Sequence, residues 1–490
     1  MIIESNKRMS QSLLWKLQKA AYLSFGPKAW SHCGVPFYLT SNPFTAKQYA
    51  HVVVGYLRDC LARQQIATSE PIYFFDLGAG TGRFAYLFLK ELRPLLQVIG
   101  HSKLNFCYVM TDMVKSNLEF CSKHPQLNEF FNEGILDLAE YHHAQNETPL
   151  FLMHSKKNLS KESIRNPVIL IANYFFDTIP QDLFKVEDGK LYEGRLTLEA
   201  EGEAKEPLDP ALITSLRVQY EYSLIDDVEH YYSLPGLSSI LQEYAARFQK
   251  AIFLFPIGAF QSLTYFSDLS QGRVMLIAGD QAVCTEEQIE HWGEPKIAKH
   301  ASFSIAVNYH AIARYFNNKG GCGLLTSNPD PVFAVVAGVL GGENKDQSEV
   351  ALAFRTHIDA FEPSDYLKVI SDLEKQALKL ETLLMLLKLG NWDPMNFYAF
   401  FEKIRKEIPQ ASPALKRDLQ QAIHKTYANF YSISSEDGDF ILNLGVLLFD
   451  LGLFADALTF FQRSLAIKGA NPAALKNIEA CKKKMLNDKC

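Results

Sequence analysis

The apolar positions of this 490-residue chain keep one rhythm for roughly two thirds of its length and another afterwards. In the first part, short continuous apolar runs alternate with stretches of helical spacing, the pattern of buried strands separated by helices. Ile72-Tyr73-Phe74-Phe75 is aromatic and β-branched and predicts a strand. Phe84 to Leu92 predicts a helix that ends near Pro94. Leu104 to Met110 predicts a second strand, and Val168 to Ala172 a compact one suited to the middle of a parallel sheet. "LPGLSSILQEYAARF" reads as a helix, "KAIFLFPIG" and "GRVMLIAGD" as strands, and "SIAVNYHAIARYFNNKGG" as a helix with Gly320-Gly321 near its end. "DPVFAVVAGVL" reads as a last strand or helix. Together these predict a doubly wound α/β sheet. Residues 185–235 are less regular. A hairpin is expected around Asp188-Gly189, and "EAEGEAKEPLDP" is a charged loop, either over the mouth of a site or on the surface. The N-terminal "MIIESNKRMSQSLLWKLQKAAYL" reads as an amphipathic helix packed on the domain after it, with membrane association the alternative. From about residue 346 no strand pattern is evident. The expected division is 1–70, an N-terminal helical cap; 71–345, the α/β domain with its insertion; and 346–490, an all-helical domain.

The candidate chemistry sits in "FFDLGAGTGRFAYLF". Gly78, Gly80 and Gly82 fall between a strand and a helix, where backbone can approach a ligand closely. A dinucleotide fingerprint would need glycine at position 83, which is Arg83, and no Gly-Lys-Ser/Thr of a phosphate loop follows. Asp76-Leu77-Gly78-Ala79-Gly80-Thr81-Gly82 resembles the first motif of class I S-adenosylmethionine-dependent methyltransferases. The resemblance implies a Rossmann-like sheet with S-adenosylmethionine as cofactor. Gly78, Ala79, Gly80 and Gly82 would form the cofactor turn, and Asp76 would act on the methionine part. It also implies a ribose contact from Asp112, at the end of the second strand. A carboxylate can accept two bonds from a cis-diol. Read without the resemblance, Asp112 is an ordinary turn or helix-cap residue. A loop near the adenine is matched to Gly134 to Asp137, although Asp137 equally reads as a polar residue on a helix face.

Ala172-Asn173-Tyr174-Phe175-Phe176-Asp177-Thr178-Ile179-Pro180 narrows the resemblance to the MidA-type branch, related to the mitochondrial complex I assembly arginine methyltransferase. Phe37 to Ser41, "GRVMLIAGD" and Asn308 to Ala313 resemble further segments of that branch. Asn173 and Asp177 are then the candidate catalytic residues bordering the methyl acceptor; the other reading is turn chemistry after a strand. Two departures stand out: the branch's Glu is Tyr174, and its Asp-Tyr-Gly is Ala278-Gly279-Asp280. The first removes a carboxylate beside the acceptor, a role that Asp177 can fill.

In the last third, "DFILNLGVLLFDLGLFADALTFFQRSLAIKGANP" resembles a tetratricopeptide repeat, with Ile441, Leu444, Gly445, Leu448, Ala457 and Phe461 at packing positions. "LETLLMLLKLGNWDPMNFYAFFEKI" resembles a degenerate copy, and Pro472 to Met485 a capping helix. One repeat cannot bury its own apolar face, so neighbouring hairpins are expected. Such a module suits protein partners, and a protein side chain is the expected acceptor. Methylation of a small molecule is an alternative, and so is a scaffold that keeps the fold without catalysis. Composition adds exclusions. The net charge of −6 argues against a general nucleic-acid binder. The eight cysteines include no Cys-x-x-Cys pair, so neither a zinc site nor a disulfide framework is indicated, and His142-His143 reads as a polar pair. With no signal-peptide core and no apolar run of membrane-span length, a cytoplasmic protein is expected.

Overall fold

A computed structural model describes residues 1–30, 37–144, 149–201, 208–327, 332–342, 347–469 and 471–487. In chain order the main strands are β1 (Ile2–Arg8), β2 (Ile72–Leu77), β3 (Phe106–Asp112), β4 (Leu136–Glu140) and β5 (Val168–Asn173). They continue as β6 (Asp182–Glu187), β7 (Lys190–Glu199), β8 (Arg217–Leu224), β9 (Lys250–Phe255), β10 (Val274–Asp280), β11 (Cys322–Leu325) and β12 (Ala334–Val339).

Seven strands form one sheet in the order β11-β12-β10-β5-β2-β3-β4. The run from β10 to β4 is parallel; β12 alone runs the other way, antiparallel to both β10 and the edge strand β11. Every residue of β2, β3 and β10 is buried, which is why their sequences are apolar runs rather than alternations. This is a largely parallel sheet with helices packed on it. The helices of this part are α1 (Leu13–Phe25), α2 (Pro43–Ala62), α3 (Arg83–Val98), α4 (Lys115–Lys123), α5 (Leu237–Arg247), α6 (Ile257–Leu269) and α7 (Tyr309–Asn318). Pro94 lies inside α3 rather than at its end. Buried Leu92 and Leu96 carry the helix past it.

The N-terminal segment departs from the expected helix. Residues 2–8 are strand β1, and the helix begins only at Leu13, capped by the Ser12 side chain. β1 joins a second, antiparallel sheet in the order β1-β7-β6-β9, with β8 also on β7. "IIESNKR" has a mostly exposed face, so its pairing left no apolar alternation to read. It is held instead by Arg8, whose guanidinium forks onto the buried Asp182 carboxylate at 2.6–3.1 Å and lies over the rings of Tyr231 and Tyr232. The hairpin at Asp188-Gly189 is present, with left-handed φ of 51° and 72°. It belongs to this sheet, as does "KAIFLF", which pairs with β6 and not with the parallel strands. Residues 202–207 of the charged loop lie outside the described residues. Leu14, Trp15, Leu17 and Ala21 of α1 are buried with Leu183, Leu196, Leu198 and Leu254, so its apolar face is spent on this sheet.

The chain divides into two compact units: residues 1–40 with 48–364, and 41–47 with 365–490. Residues 347–364 group with the first unit, not with the helices after them. The second unit contains α8 (Leu380–Leu389), α9 (Pro394–Glu407), α10 (Pro413–Asn429), α11 (Gly438–Asp450), α12 (Phe454–Lys468) and α13 (Pro472–Asn487). Asp393 and Ser412 cap α9 and α10. α11 and α12 form a close hairpin. A Cβ on Gly445 would stand 2.6 Å from the Phe461 ring, and Ile441, Leu444, Leu448 and Ala457 are fully buried. α8 and α9 are also joined by a short turn, but of another kind. Gly452 turns the chain with φ +78°, whereas after α8 the left-handed residues are Asn391 and Trp392. Among the described residues, no helix is long and apolar enough to cross a membrane.

Candidate active site

The turn between β2 and α3 is left-handed at each glycine, with φ of 72°, 57° and 76° at Gly78, Gly80 and Gly82. Each also faces a wall. A Cβ would stand 3.0 Å from Phe175 at Gly78, 2.8 Å from the Trp30 ring at Gly80, and 3.1 Å from Cys121 Sγ and Met110 Sδ at Gly82. The glycine spacing therefore has two causes, backbone conformation and lack of room. Ala79 donates its N–H to the Thr111 carbonyl at 2.9 Å, fastening the turn to the end of β3.

Three acids named from sequence have different surroundings. Asp76, in β2, is buried and accepts from the Tyr108 hydroxyl at 2.9 Å. Burial raises its pKa to about 7. Asp112 ends β3 and accepts from Gly80 N at 3.1 Å, Val114 N at 2.8 Å and Asn117 Nδ2 at 3.1 Å. Burial raises its pKa to about 6 against the pull of these donors. The segment Gly134 to Asp137 is not a loop after a strand. Asp137 lies within β4, opposite Val109, and its carboxylate accepts from the N–H groups of Leu138, His154 and Ser155 at 2.8–3.0 Å. "LDLAE" forms the strand itself, and the chain leaves it only at Tyr141, beyond Glu140.

β5 and β10 run side by side and end at Asn173 and Asp280. In open α/β sheets such carboxyl ends are where ligands bind. Asn173 Oδ1 accepts from the Tyr49 hydroxyl at 3.0 Å, and its Nδ2 has no partner among the described residues. Tyr174 follows with φ +49° and donates its N–H to the Gly279 carbonyl at 2.9 Å. A single turn, Phe176–Thr178, then sets the Asp177 carboxyl against that of Asp280. Asp177 is 3% exposed and Asp280 fully buried. Oδ1 of each has no partner among the described residues, and with the two carboxyls within hydrogen-bonding reach, a proton shared by the pair would link them. Burial moves Asp177 up to about 7; burial and the neighbouring charge move Asp280 well above the carboxylate range. The Tyr309 hydroxyl donates to Asp280 Oδ2 at 2.9 Å. Tyr22 of α1 is close enough to feel Asp112, Asp177 and Asp280 together. Asp280, Tyr309, Tyr49, Tyr22 and Trp30 were not among the sequence candidates. Asp280 had a signal, since it ends an apolar strand as Asp112 does, and Tyr309 lay in a segment already matched to the family branch.

Residues 58–277 match the family described as "putative S-adenosyl-L-methionine-dependent methyltransferase". No functionally curated protein matches the chain. Among solved structures, one from Burkholderia thailandensis with S-adenosyl-homocysteine bound is 12% identical, covering 68% of this chain and 95% of its own, with a TM-score of 0.37. The CurJ carbon methyltransferase is 12% identical over 67% of this chain and 66% of its own, at 0.28. A phosphoethanolamine N-methyltransferase from Haemonchus contortus is 9% identical over 87% and 76%, at 0.23. Likeness at these scores carries no argument. The residues themselves fit the cofactor: a turn kept free of side chains, and a buried amide oxygen, Asn117 Oδ1, without a donor beside Asp112. The family match over residues 58–277 and the glycine turn on its parallel sheet place a class I S-adenosylmethionine-dependent methyltransferase domain in this chain, with S-adenosylmethionine as its cofactor.

Proposed function

We propose that the domain methylates a protein side chain, with arginine among the candidates, at the carboxyl ends of β5 and β10. The observation that carries this reading is the buried Asp177–Asp280 pair beside Asn173. The bound cofactor supplies an electrophilic methyl group on a sulfonium. The chain's part is to hold the turn open, orient the acceptor, exclude water and manage a proton. With one shared proton the pair carries one negative charge. It can stabilise a cationic acceptor and take the proton that the acceptor releases on methylation, leaving both carboxyls protonated. Tyr309 fixes Asp280 during that change, and Asn173 borders the acceptor. The loss of the family's Glu at Tyr174 is offset in this reading by Asp280, two residues beyond the branch's own strand-end acid. The helical hairpins of the second unit, tetratricopeptide-like in sequence, would hold the protein substrate or a partner.

The test uses tritium-labelled S-adenosylmethionine with the full chain and a fractionated cell extract, beside Asp177→Asn. Label in protein that disappears in the variant, while calorimetry still shows cofactor binding, supports the reading. Label in the low-mass fraction points to a small-molecule acceptor. Cofactor binding with no transfer to either fraction favours a scaffold.

A further inference from the structure

Asp112 is crowded for a residue expected to read a ribose. Its two oxygens already take three N–H donors, from Gly80, Val114 and Asn117. A carboxylate offers about four acceptor positions. This one is largely occupied in holding the glycine turn and the start of α4. The unfilled acceptor at this corner belongs to its neighbour. Asn117 is 1% exposed, and its Oδ1 has no hydrogen-bond partner among the described residues. The amide orientation is chemically fixed. Rotated by half a turn, Asn117 would set its oxygen against the Asp112 carboxylate and lose the bond at 3.1 Å. Buried amide oxygens normally find a donor. The oxygen faces Gly26, 4.0 Å from where a Cβ on that residue would stand, and Gly26 is itself left-handed at φ +51°.

We propose that Asn117 Oδ1 accepts a hydrogen bond from a ribose hydroxyl of the cofactor, and that Asp112 is the positioning residue that holds the Asn117 amide and the glycine turn for it. This rests on the cofactor reading above and moves the direct ribose contact from Asp112 to Asn117. A hydroxyl is the matching donor. It can satisfy the neutral amide oxygen without bringing further charge to a corner that already holds Asp76 and Asp112.

The experiment is calorimetric binding to the full chain of S-adenosylhomocysteine and of its 2′-deoxy and 3′-deoxy adenosyl analogues. The unmodified protein should lose about tenfold or more for one analogue. Asn117→Ala should lose a similar factor for S-adenosylhomocysteine and nothing further for that analogue. Asn117→Ser, which keeps an oxygen acceptor, serves where the alanine variant does not fold. Asp112→Asn, which disturbs both the glycine turn and the Asn117 amide, should weaken all three ligands, and least the analogue that lacks the bonded hydroxyl. Equal binding of all three ligands by the unmodified protein overturns the proposal, as does an equal loss for all three in Asn117→Ala. Failure of the unmodified protein to bind any of the three overturns the cofactor reading itself, a result distinct from the other two.

Discussion

Replacing Asp280 by Asn is expected to change how stability depends on pH. An unfolded Asp titrates near 3.8, whereas folded Asp177 titrates near 7 and Asp280 higher still. Between those limits the folded protein keeps a proton that the unfolded chain has released. The folded state then binds more protons, so stability falls as pH rises from about 4 through 7. At about 1.4 kcal/mol per pH unit, the gap from 3.8 to about 7 is worth on the order of 4 kcal/mol for Asp177 alone, as an upper figure. In Asp280→Asn the carboxyl that holds its proton to the higher pH is gone, and the amide can donate to Asp177 in its place. Asp177 stays raised by burial, while the part of the loss that belongs to Asp280 disappears. Asp76 and Asp112, raised to about 7 and 6, tilt the curves of both proteins in the same direction. The difference between the two curves therefore isolates the pair. The assay is urea denaturation at pH 5 and pH 8, followed by tryptophan fluorescence in a Trp392→Phe background. That leaves Trp15, Trp30 and Trp292, all in the first unit. The stability of Asp280→Asn relative to the parent should rise between the two pH values. A constant difference would mean that no proton is shared, and the reasoning would fail.

Arg8→Ala should destabilise the first unit by about 3 kcal/mol, because the buried Asp182 loses its cation while two tyrosine faces lose theirs. Arg8→Lys should recover little, since one ammonium cannot reproduce the fork, and thermal unfolding of both variants decides it. Gly445→Val should destabilise the second unit by about 2 kcal/mol through its clash with the Phe461 ring, and adding Phe461→Leu should restore part of that, read by circular dichroism.

Legibility followed burial on both sides of an element. β2, β3, β5 and β10 were plain because both faces are covered and each opens with a continuous apolar run. β1 was hidden because an edge strand with a polar face imposes no period of its own. The glycine turn was readable because left-handed backbone narrows the choice of residue. The partners of its acids were not, since a carboxylate looks the same in sequence whether a hydroxyl or three backbone amides surround it. Asp137 shows this most clearly: an Asp inside an apolar strand reads as a ligand group until the amides of His154 and Ser155 are seen to hold it. Asp280 was passed over because its significance lies in a meeting with Asp177, 103 residues earlier in the chain.

The pairing of Ile2 with Glu199 has a consequence for biosynthesis. At roughly 5 to 20 residues per second, a ribosome needs roughly 10 to 40 s to travel from one to the other. During that interval the first strand has no neighbour, and the apolar face of the helix after it has nothing to cover it. A nascent chain in that condition is a natural client for a chaperone at the tunnel exit. The strand of this pair that is made first must wait for the other before it settles, and variants that weaken this sheet should lower yield during translation before they alter the finished protein.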